Sequence, residues 1–251
     1  MDKNYFKKLR VMDGGMGQEL HAKGLVSKGT LWSTSAILDE KYHKLIVDTH
    51  LAYIDSGAEV ITTNTFSSRR IRMDQNKVSR YFEYANKKAC ELAIQAKQNS
   101  KKEVFIAGSI PAQFDTYKED TRDDEIISSA FFDQINCISD YVDFLYLDVI
   151  SSGREIDLAT KIIEKLDKPI LLGIHLTKNG CLPSGETISQ VLKKYKTFYK
   201  SSAISYHLQN DNLNTLANRV WRYHISGYKI RKMSFLRSLK RGWVSGPLTL
   251  I

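Results

Sequence analysis

The chain has 251 residues, of which 42% are hydrophobic and 26% charged, and its net charge is +9. These values suit a single folded domain with a sizeable core and argue against a disordered chain. The first residues lack the apolar segment of a signal peptide, and no apolar run approaches the ~18 residues that span a bilayer. Three dispersed cysteines do not suggest a disulfide framework. We therefore predict a cytoplasmic protein without a membrane segment.

The positive charge is concentrated in the last part of the sequence. Residues 1–211 carry 29 Lys and Arg against 28 Asp and Glu, whereas residues 212–251 carry eight basic residues and no acidic one. Such a stretch could bind nucleic acid or an anionic surface. It lacks the interleaved aromatic pattern of a single-strand binder. We favour a solvated helix face and do not expect nucleic acid as a partner.

Short β-rich apolar runs alternate with longer amphipathic segments along the chain. The predicted strands are 10–12, 59–65, 103–110, 143–150, 169–176, 203–208, 223–228 and 247–251. The predicted helices are 39–56, 78–99, 123–139, 153–166, 186–200, 211–221 and 231–242. Ser184, Glu186 and Asp211 could cap helix starts, and Gly57 suits a helix end.

The alternation predicts an α/β fold. Runs such as YLDVI and PILLGI are apolar on both faces, as a parallel sheet covered by helices requires. Eight strands with seven crossover segments predict one TIM (β/α)8 barrel domain over residues 1–251. The last predicted strand runs to the final residue, so the eighth helix is expected to be missing. A doubly wound open sheet is the alternative, although no GxGxxG follows the first strand.

Polar residues stand where the predicted strands end, which is where barrels build their active sites. These residues are Asp13, Asn64, Ser109, Asp148, His175 and His207. Carboxylates accept hydrogen bonds from an ammonium group, and backbone amides can bind a carboxylate, so the set could hold a zwitterion. Structural roles compete with this reading, because Asp148 could cap a helix and both histidines could be core residues.

Five segments in order resemble the homocysteine S-methyltransferase family. They are MDGGMGQEL at 12–20, LWSTSAIL at 31–38, His50-Leu-Ala-Tyr followed by SGAEVITTNTF at 56–66, AGSIPA at 107–112 and SGETISQVL at 184–192. Together these segments extend over most of residues 10–192. VITTNTF after a helix that ends in Gly-Ala is the most specific of them.

This resemblance implies a transferase of methionine biosynthesis that moves a methyl group to the thiol of homocysteine. The family's zinc makes the thiol a thiolate nucleophile. By the same resemblance, Asp13 and Gly14 belong to the substrate site, and Asp13 contacts the homocysteine ammonium group. Thr63 and Asn64 line the pocket. Asp148 stands where relatives have Glu and is one methylene shorter.

The three cysteines with which the family binds zinc are not found at the matching positions of this sequence. Leu208 occupies the position of the first cysteine, and residues 242–251 resemble the lead-in to the Gly-Gly-Cys-Cys pair, where this sequence stops. The residues that could replace these cysteines as zinc ligands are His175, Cys181 and His207, but their spacing does not enforce a tetrahedral site. We therefore expect that the family's zinc is not bound by this chain.

The sequence leaves two hypotheses for the function, which belong to different classes of protein. The first is a homocysteine S-methyltransferase-like enzyme, with homocysteine and a methyl donor as small-molecule substrates and with impaired activity. The second is a non-catalytic barrel that binds an amino acid or a protein partner. The methyl donor stays open, since relatives use S-methylmethionine, S-adenosylmethionine, betaine or folate-type donors.

Overall fold

The structure is a computed structural model that describes residue 5 and residues 10–166, 168–195 and 203–208. For residue 192 and residues 203–208 it describes the backbone only. The predicted strands at 223–228 and 247–251 lie outside the described residues. So do the predicted helices at 211–221 and 231–242 and the cap at Asp211.

The described residues form eight α-helices and five β-strands, with at least one α-helix between successive strands up to β5. The helices are α1 (Met16–Ala22), α2 (Thr34–Ile37), α3 (His43–Asp55), α4 (Arg70–Gln75), α5 (Phe82–Ser100), α6 (Asp124–Ile138), α7 (Gly153–Ile163) and α8 (Ile188–Tyr195). The strands are β1 (Val60–Thr62), β2 (Phe105–Pro111), β3 (Phe144–Ile150), β4 (Ile170–Leu176) and β5 (Ala203–Leu208). Single turns of 3-10 helix precede α3 and α5 and follow α6 and α7.

The five strands are parallel and lie in the sheet in the order in which they occur along the chain. Met12 extends the same order, because it forms a parallel bridge with Val60 of β1. A doubly wound sheet reverses its strand order at a switch point. The described strands show no such reversal, so their order agrees with a barrel-like α/β fold.

Alternate residues of each strand face two different layers. Leu145 and Leu147 of β3 pack with α5, α6 and α7 in the main apolar core. Phe144 and Tyr146 point to the other side, where they form a small inner cluster. The other buried members of that cluster are Met12, Val60, Ala107 and Leu171. The strands are therefore apolar on both faces, as predicted from sequence.

Several predicted boundaries were wrong. The strand predicted at 59–65 ends at Thr62, because the chain then turns through a Thr65 N–H bond to the carbonyl oxygen of Thr63, 2.8 Å long. The helix predicted at 39–56 begins as a 3-10 turn and becomes α-helical only at His43. Helices α1, α2 and α4 were not predicted. Gly57, with φ 106°, does follow the end of α3.

The predicted helix start at residues 184–186 was also wrong. Helix α8 begins at Ile188, and the backbone N–H and hydroxyl of Thr187 both donate to Gln190 Oε1 at 2.8 Å. The Glu186 carboxylate instead accepts a 2.6 Å bond from the N–H of Gly153, the first residue of α7. It therefore caps a different helix, where a negative charge suits the helix dipole.

The helices of the described residues do not include one with the length and apolar character of a bilayer-spanning segment.

A buried amide network supports the loop after β1. Gln134 Nε2 on α6 donates to the carbonyl oxygen of Thr65 at 2.9 Å and to Asn86 Oδ1 at 3.0 Å. Its Oε1 accepts from Gln113 Nε2 at 2.9 Å. All three amide side chains are buried, so each bond replaces a lost contact with water.

Replacing Gln134 by leucine should therefore lower the free energy of unfolding by about 2–4 kcal/mol, because three buried polar groups lose their partner at once. Chemical denaturation monitored by circular dichroism would measure this. The matched control is Gln75→Leu at the exposed end of α4, which should leave stability within about 0.5 kcal/mol of wild type. Equal effects for the two variants would contradict the role of the network.

Candidate functional site

Polar residues occupy the carboxyl ends of the strands on the inner face. On β2 and β3 the alternation that points Ala107 and Tyr146 inward also points Ser109 and Asp148 inward. On β4 it does the same for His175. Because the strands are parallel, these groups gather at one end of the sheet. They form a polar mouth above an apolar inner layer.

Asp13 is the most constrained residue at this mouth. Its Oδ2 accepts from the backbone N–H of Thr62 at 2.7 Å, and its Oδ1 accepts from the Thr62 hydroxyl at 2.8 Å. The Asp13 N–H donates to the carbonyl oxygen of Val60 at 2.9 Å. Burial raises the pKa of Asp13 to about 7; the two Thr62 bonds oppose this shift and the nearby Asp148 carboxylate adds to it.

Asp148 lies at a distortion of β3. The register with β4 shifts between Leu147 and Ile150, and Val149 has φ 60°, a conformation that β-branched residues rarely adopt. Asp148 Oδ2 accepts from the Ser109 hydroxyl at 2.8 Å. Burial raises the pKa of Asp148 to about 6, against hydrogen bonds from Ser109 and Tyr146 and the charge of Arg69. Asp148 is near enough to Asp13 for its charge to raise the pKa of Asp13.

Thr63 and Asn64, both buried, make bonds that hold the mouth together. Thr63 Oγ1 accepts from the N–H of Ser109 at 3.0 Å, and Asn64 Nδ2 donates to the carbonyl oxygen of Ser33 at 3.2 Å. These bonds join the loop after β1 to β2 and to the segment before α2. A role in lining the pocket stays a prediction for both residues.

Gly14 packs against the ring of Tyr53. A Cβ at this position would lie 3.0 Å from Tyr53 Oη and 3.1 Å from Cε1, so an alanine would press on the ring. A glycine therefore allows the backbone beside Asp13 to pack closely against α3.

The three substitutes for zinc ligands are only partly brought together. His175 is buried and its ring lies 4.6 Å from the ring of Tyr117, centroid to centroid. His207 is the register partner of His175 on β5. Cys181 lies in the loop after β4, where its carbonyl oxygen accepts from the N–H of Thr177. In the part of the chain that the structure describes, no three His, Cys, Asp or Glu side chains are grouped to hold a metal ion.

Sequence reasoning missed two buried charges near the mouth. Glu155 at the start of α7 bonds to the Ser152 hydroxyl at 2.8 Å, and burial raises its pKa to about 7. The Ser-x-x-Glu spacing is a helix-start signal that could have indicated this residue. Arg69, which has 1% of its surface exposed, lies in the loop after β1. No motif in the sequence indicates that Arg69 is buried.

The described strands form a parallel α/β sheet whose strand ends carry two carboxylates, buried Asp13 and half-buried Asp148. Barrel-like folds build their small-molecule sites at such strand ends. Comparison with known proteins gives the family. Residues 10–208 match the family described as homocysteine S-methyltransferase. The chain belongs to that family.

Individual relatives are distant. The chain is 27% identical over 173 residues to a rat S-methylmethionine–homocysteine S-methyltransferase, covering 68% of this chain and 44% of that protein. It is 22% identical over 208 residues to homocysteine S-methyltransferase 2 of Saccharomyces cerevisiae, covering 76% and 64%. The chain thus spans about half the length of these relatives.

A solved structure supports the fold. The metallated form of the homocysteine methyltransferase MmuM from Escherichia coli superposes with a TM-score of 0.71 at 18% identity, over 82% of this chain and 77% of that one. At this identity the likeness concerns the fold alone.

The raised pKa of Asp13 predicts a pH-dependent stability. The folded state holds the Asp13 proton up to about pH 7, whereas the unfolded chain releases it near pH 4. The folded state therefore binds more protons between these values, and this contribution to stability is lost as pH rises from about 4 to 7. Denaturation of wild type and Asp13→Asn across this range should show the wild type losing stability more steeply.

Asp123→Asn, at an exposed position before α6, is the control for this experiment. It should follow the wild-type pH profile. A wild-type profile parallel to that of Asp13→Asn would contradict the burial of a titrating carboxyl at Asp13.

Proposed function

We propose that this chain binds homocysteine with its ammonium group between Asp13 and Asp148, and that it acts in methyl transfer to the homocysteine thiol, which gives methionine. The observation that supports this most directly is that two carboxylates with raised pKa values, buried Asp13 and half-buried Asp148, lie at one end of the sheet, where the Asp148 charge acts on Asp13. Family membership supports homocysteine as the substrate.

The two carboxylates suit an ammonium group for electrostatic reasons. Desolvation raises the pKa of Asp13 and of Asp148, and the Asp148 charge further disfavours the charge of Asp13. An ammonium group between them would offset both effects and donate charge-assisted hydrogen bonds. Each Asp13 oxygen accepts one bond from Thr62, and a carboxylate oxygen can accept two, so acceptor capacity is left for a ligand.

The residues that bind the amino acid would also orient its thiol. Fixing the ammonium group and the α-carbon restricts the directions in which the two-carbon side chain can extend, which lowers the entropic cost of reaching a methyl donor. The sulfur must lose its proton to attack, because the thiolate is the nucleophile.

In the family, zinc activates this thiol. The donor set of this chain does not fit the family's three-cysteine site, because the sequence resemblance aligns Leu208, at the end of β5, with the first cysteine. Leucine has no atom that binds zinc. We therefore propose substrate binding with turnover well below that of zinc-bearing relatives.

Homocysteine binding should depend on Asp13 and on pH. Asp13→Asn should weaken binding by about 2–5 kcal/mol, which corresponds to a loss of at least about 30-fold, because the ammonium group loses a buried ionic partner. Wild-type affinity should rise as pH increases through about 6 to 7, where Asp148 and then Asp13 ionise. Isothermal calorimetry under reducing conditions at pH 5.5 and 8 would measure both effects.

The exposed Asp123→Asn variant should bind as wild type does. Equal affinity of wild type and Asp13→Asn, or affinity independent of pH over this range, would refute the ammonium site.

Metal analysis tests the zinc proposal. After chelator treatment and reconstitution with zinc, we expect the protein to retain much less than one tightly held zinc per chain. One zinc per chain that is lost in His207→Ala would overturn this expectation and indicate a substituted site around His175 and His207. The non-catalytic alternative, an amino-acid-binding barrel, predicts homocysteine binding with no methylated product even when zinc is supplied.

A further inference from the structure

Arg69 is a buried cation without a buried anion in contact. It is the largest fully buried side chain among the described residues, with 1% of its surface exposed. Its Nη1 donates to the carbonyl oxygen of Ala112, and its Nη2 donates to Thr116 Oγ1 at 2.7 Å. Its Nε is buried and has no hydrogen-bond partner. None of the ion pairs of the described residues includes this guanidinium.

Such an arrangement is costly in a protein that lacks a ligand. A buried guanidinium normally pairs with a carboxylate or phosphate, since its desolvation is offset only by an opposite charge in good geometry. A carbonyl oxygen and a hydroxyl satisfy individual N–H groups but do not neutralise the charge. The guanidinium carbon also lies 5.5 Å from the centroid of the Phe66 ring, a cation–π contact that is weak compared with an ion pair. Contacts with the loop after β2 therefore explain two of the donors, but among the described residues no anion pairs with the charge and the Nε–H has no partner.

The guanidinium lies beside the proposed ammonium site. Its acceptor Ala112 follows Pro111, which is the register partner of Asp148. Burial lowers the pKa of Arg69 to about 10, and the charge of Arg72 adds to this effect. The charges of Asp115, Glu155 and Asp148 oppose it. Asp148 therefore lies within electrostatic reach of Arg69 without contacting it.

We propose that Arg69 binds the α-carboxylate of the amino-acid substrate, so that the zwitterion lies between two opposite charges. This inference rests on the proposed function, because it takes the ammonium position at Asp13 and Asp148 as given. With its ammonium group at the two carboxylates and its carboxylate at the guanidinium, a bound α-amino acid would be held in one orientation. The Nε–H and a free Nη–H of an arginine match the two oxygens of a carboxylate.

The proposal makes Arg69 a specificity residue that distinguishes an α-amino acid from a simple amine. The test compares two ligands, homocysteine and 3-aminopropane-1-thiol, which keeps the thiol and the ammonium group but lacks the carboxylate. Calorimetry under reducing conditions measures both ligands against wild type, Arg69→Gln, Arg69→Lys and Arg70→Gln. Arg70 is a matched control, because it neighbours Arg69 but pairs with Asp133 at the surface.

Wild type should bind homocysteine at least tenfold more tightly than the amine. Arg69→Gln should remove this difference by weakening homocysteine alone, Arg69→Lys should keep part of it because it keeps the charge, and Arg70→Gln should leave it unchanged. Equal losses of both ligands in Arg69→Gln would assign Arg69 a structural role and overturn the proposal. So would a homocysteine preference that persists in this variant.

The experiment also separates this inference from the function on which it rests. If wild type binds both ligands equally, with Asp13→Asn weakening both, the ammonium site stands and the role of Arg69 is refuted. If wild type binds neither ligand, the proposed function fails, and this inference fails with it.

Discussion

The pairing of Asp13 with Thr62 is the constraint on which the site depends. Thr62 gives this carboxylate both its backbone N–H and its hydroxyl, which fastens the segment before α1 to the end of β1. The same two bonds hold the carboxylate inside the mouth, although burial disfavours its charge. One interaction therefore aligns the first strand segment with the sheet and creates an anionic group that is poorly solvated. Such a group binds a cation more strongly than an exposed carboxylate would.

Buried amide and hydroxyl side chains form hydrogen bonds that fix the loops around this carboxylate. Gln134 holds the loop after β1 through the carbonyl oxygen of Thr65, and Thr65 Oγ1 donates to the carbonyl oxygen of Ser109 on β2 at 2.6 Å. Asn64 joins the same loop to Ser33. The chain leaves the regular sheet after Thr62, so its backbone groups need these side chains as partners. The rigidity of the mouth is thus a property of the polar network rather than of the strands.

Much of the fold was predictable, because it follows from patterns with a fixed period. The runs around Phe144–Ile150 and Ile170–Leu176 are apolar on both faces, and the segment between them is long enough for a crossover helix, so parallel neighbours were expected. Asp13, Ser109 and Asp148 were predictable as strand-end residues. Arg69 and the Gln134 network were not, because the burial of a long polar side chain depends on which loops meet around it in three dimensions. The early end of β1 escaped prediction for the same reason, since VITTNTF is β-rich throughout and tertiary hydrogen bonds decide where the strand stops.

The central claim is that Asp13 and Asp148 act as one site that is compensated by a ligand's ammonium group. The most direct measurement is a carbon-13 NMR titration of the aspartate carboxyl groups, assigned with Asp13→Asn and Asp148→Asn, with and without homocysteine. We expect apparent pKa values near 7 and 6 in the free protein, and we expect both to fall when homocysteine binds, because the ammonium group favours the ionised forms. Carboxyl groups that titrate near 4 in the free protein, or whose titration does not change with homocysteine, would contradict the account.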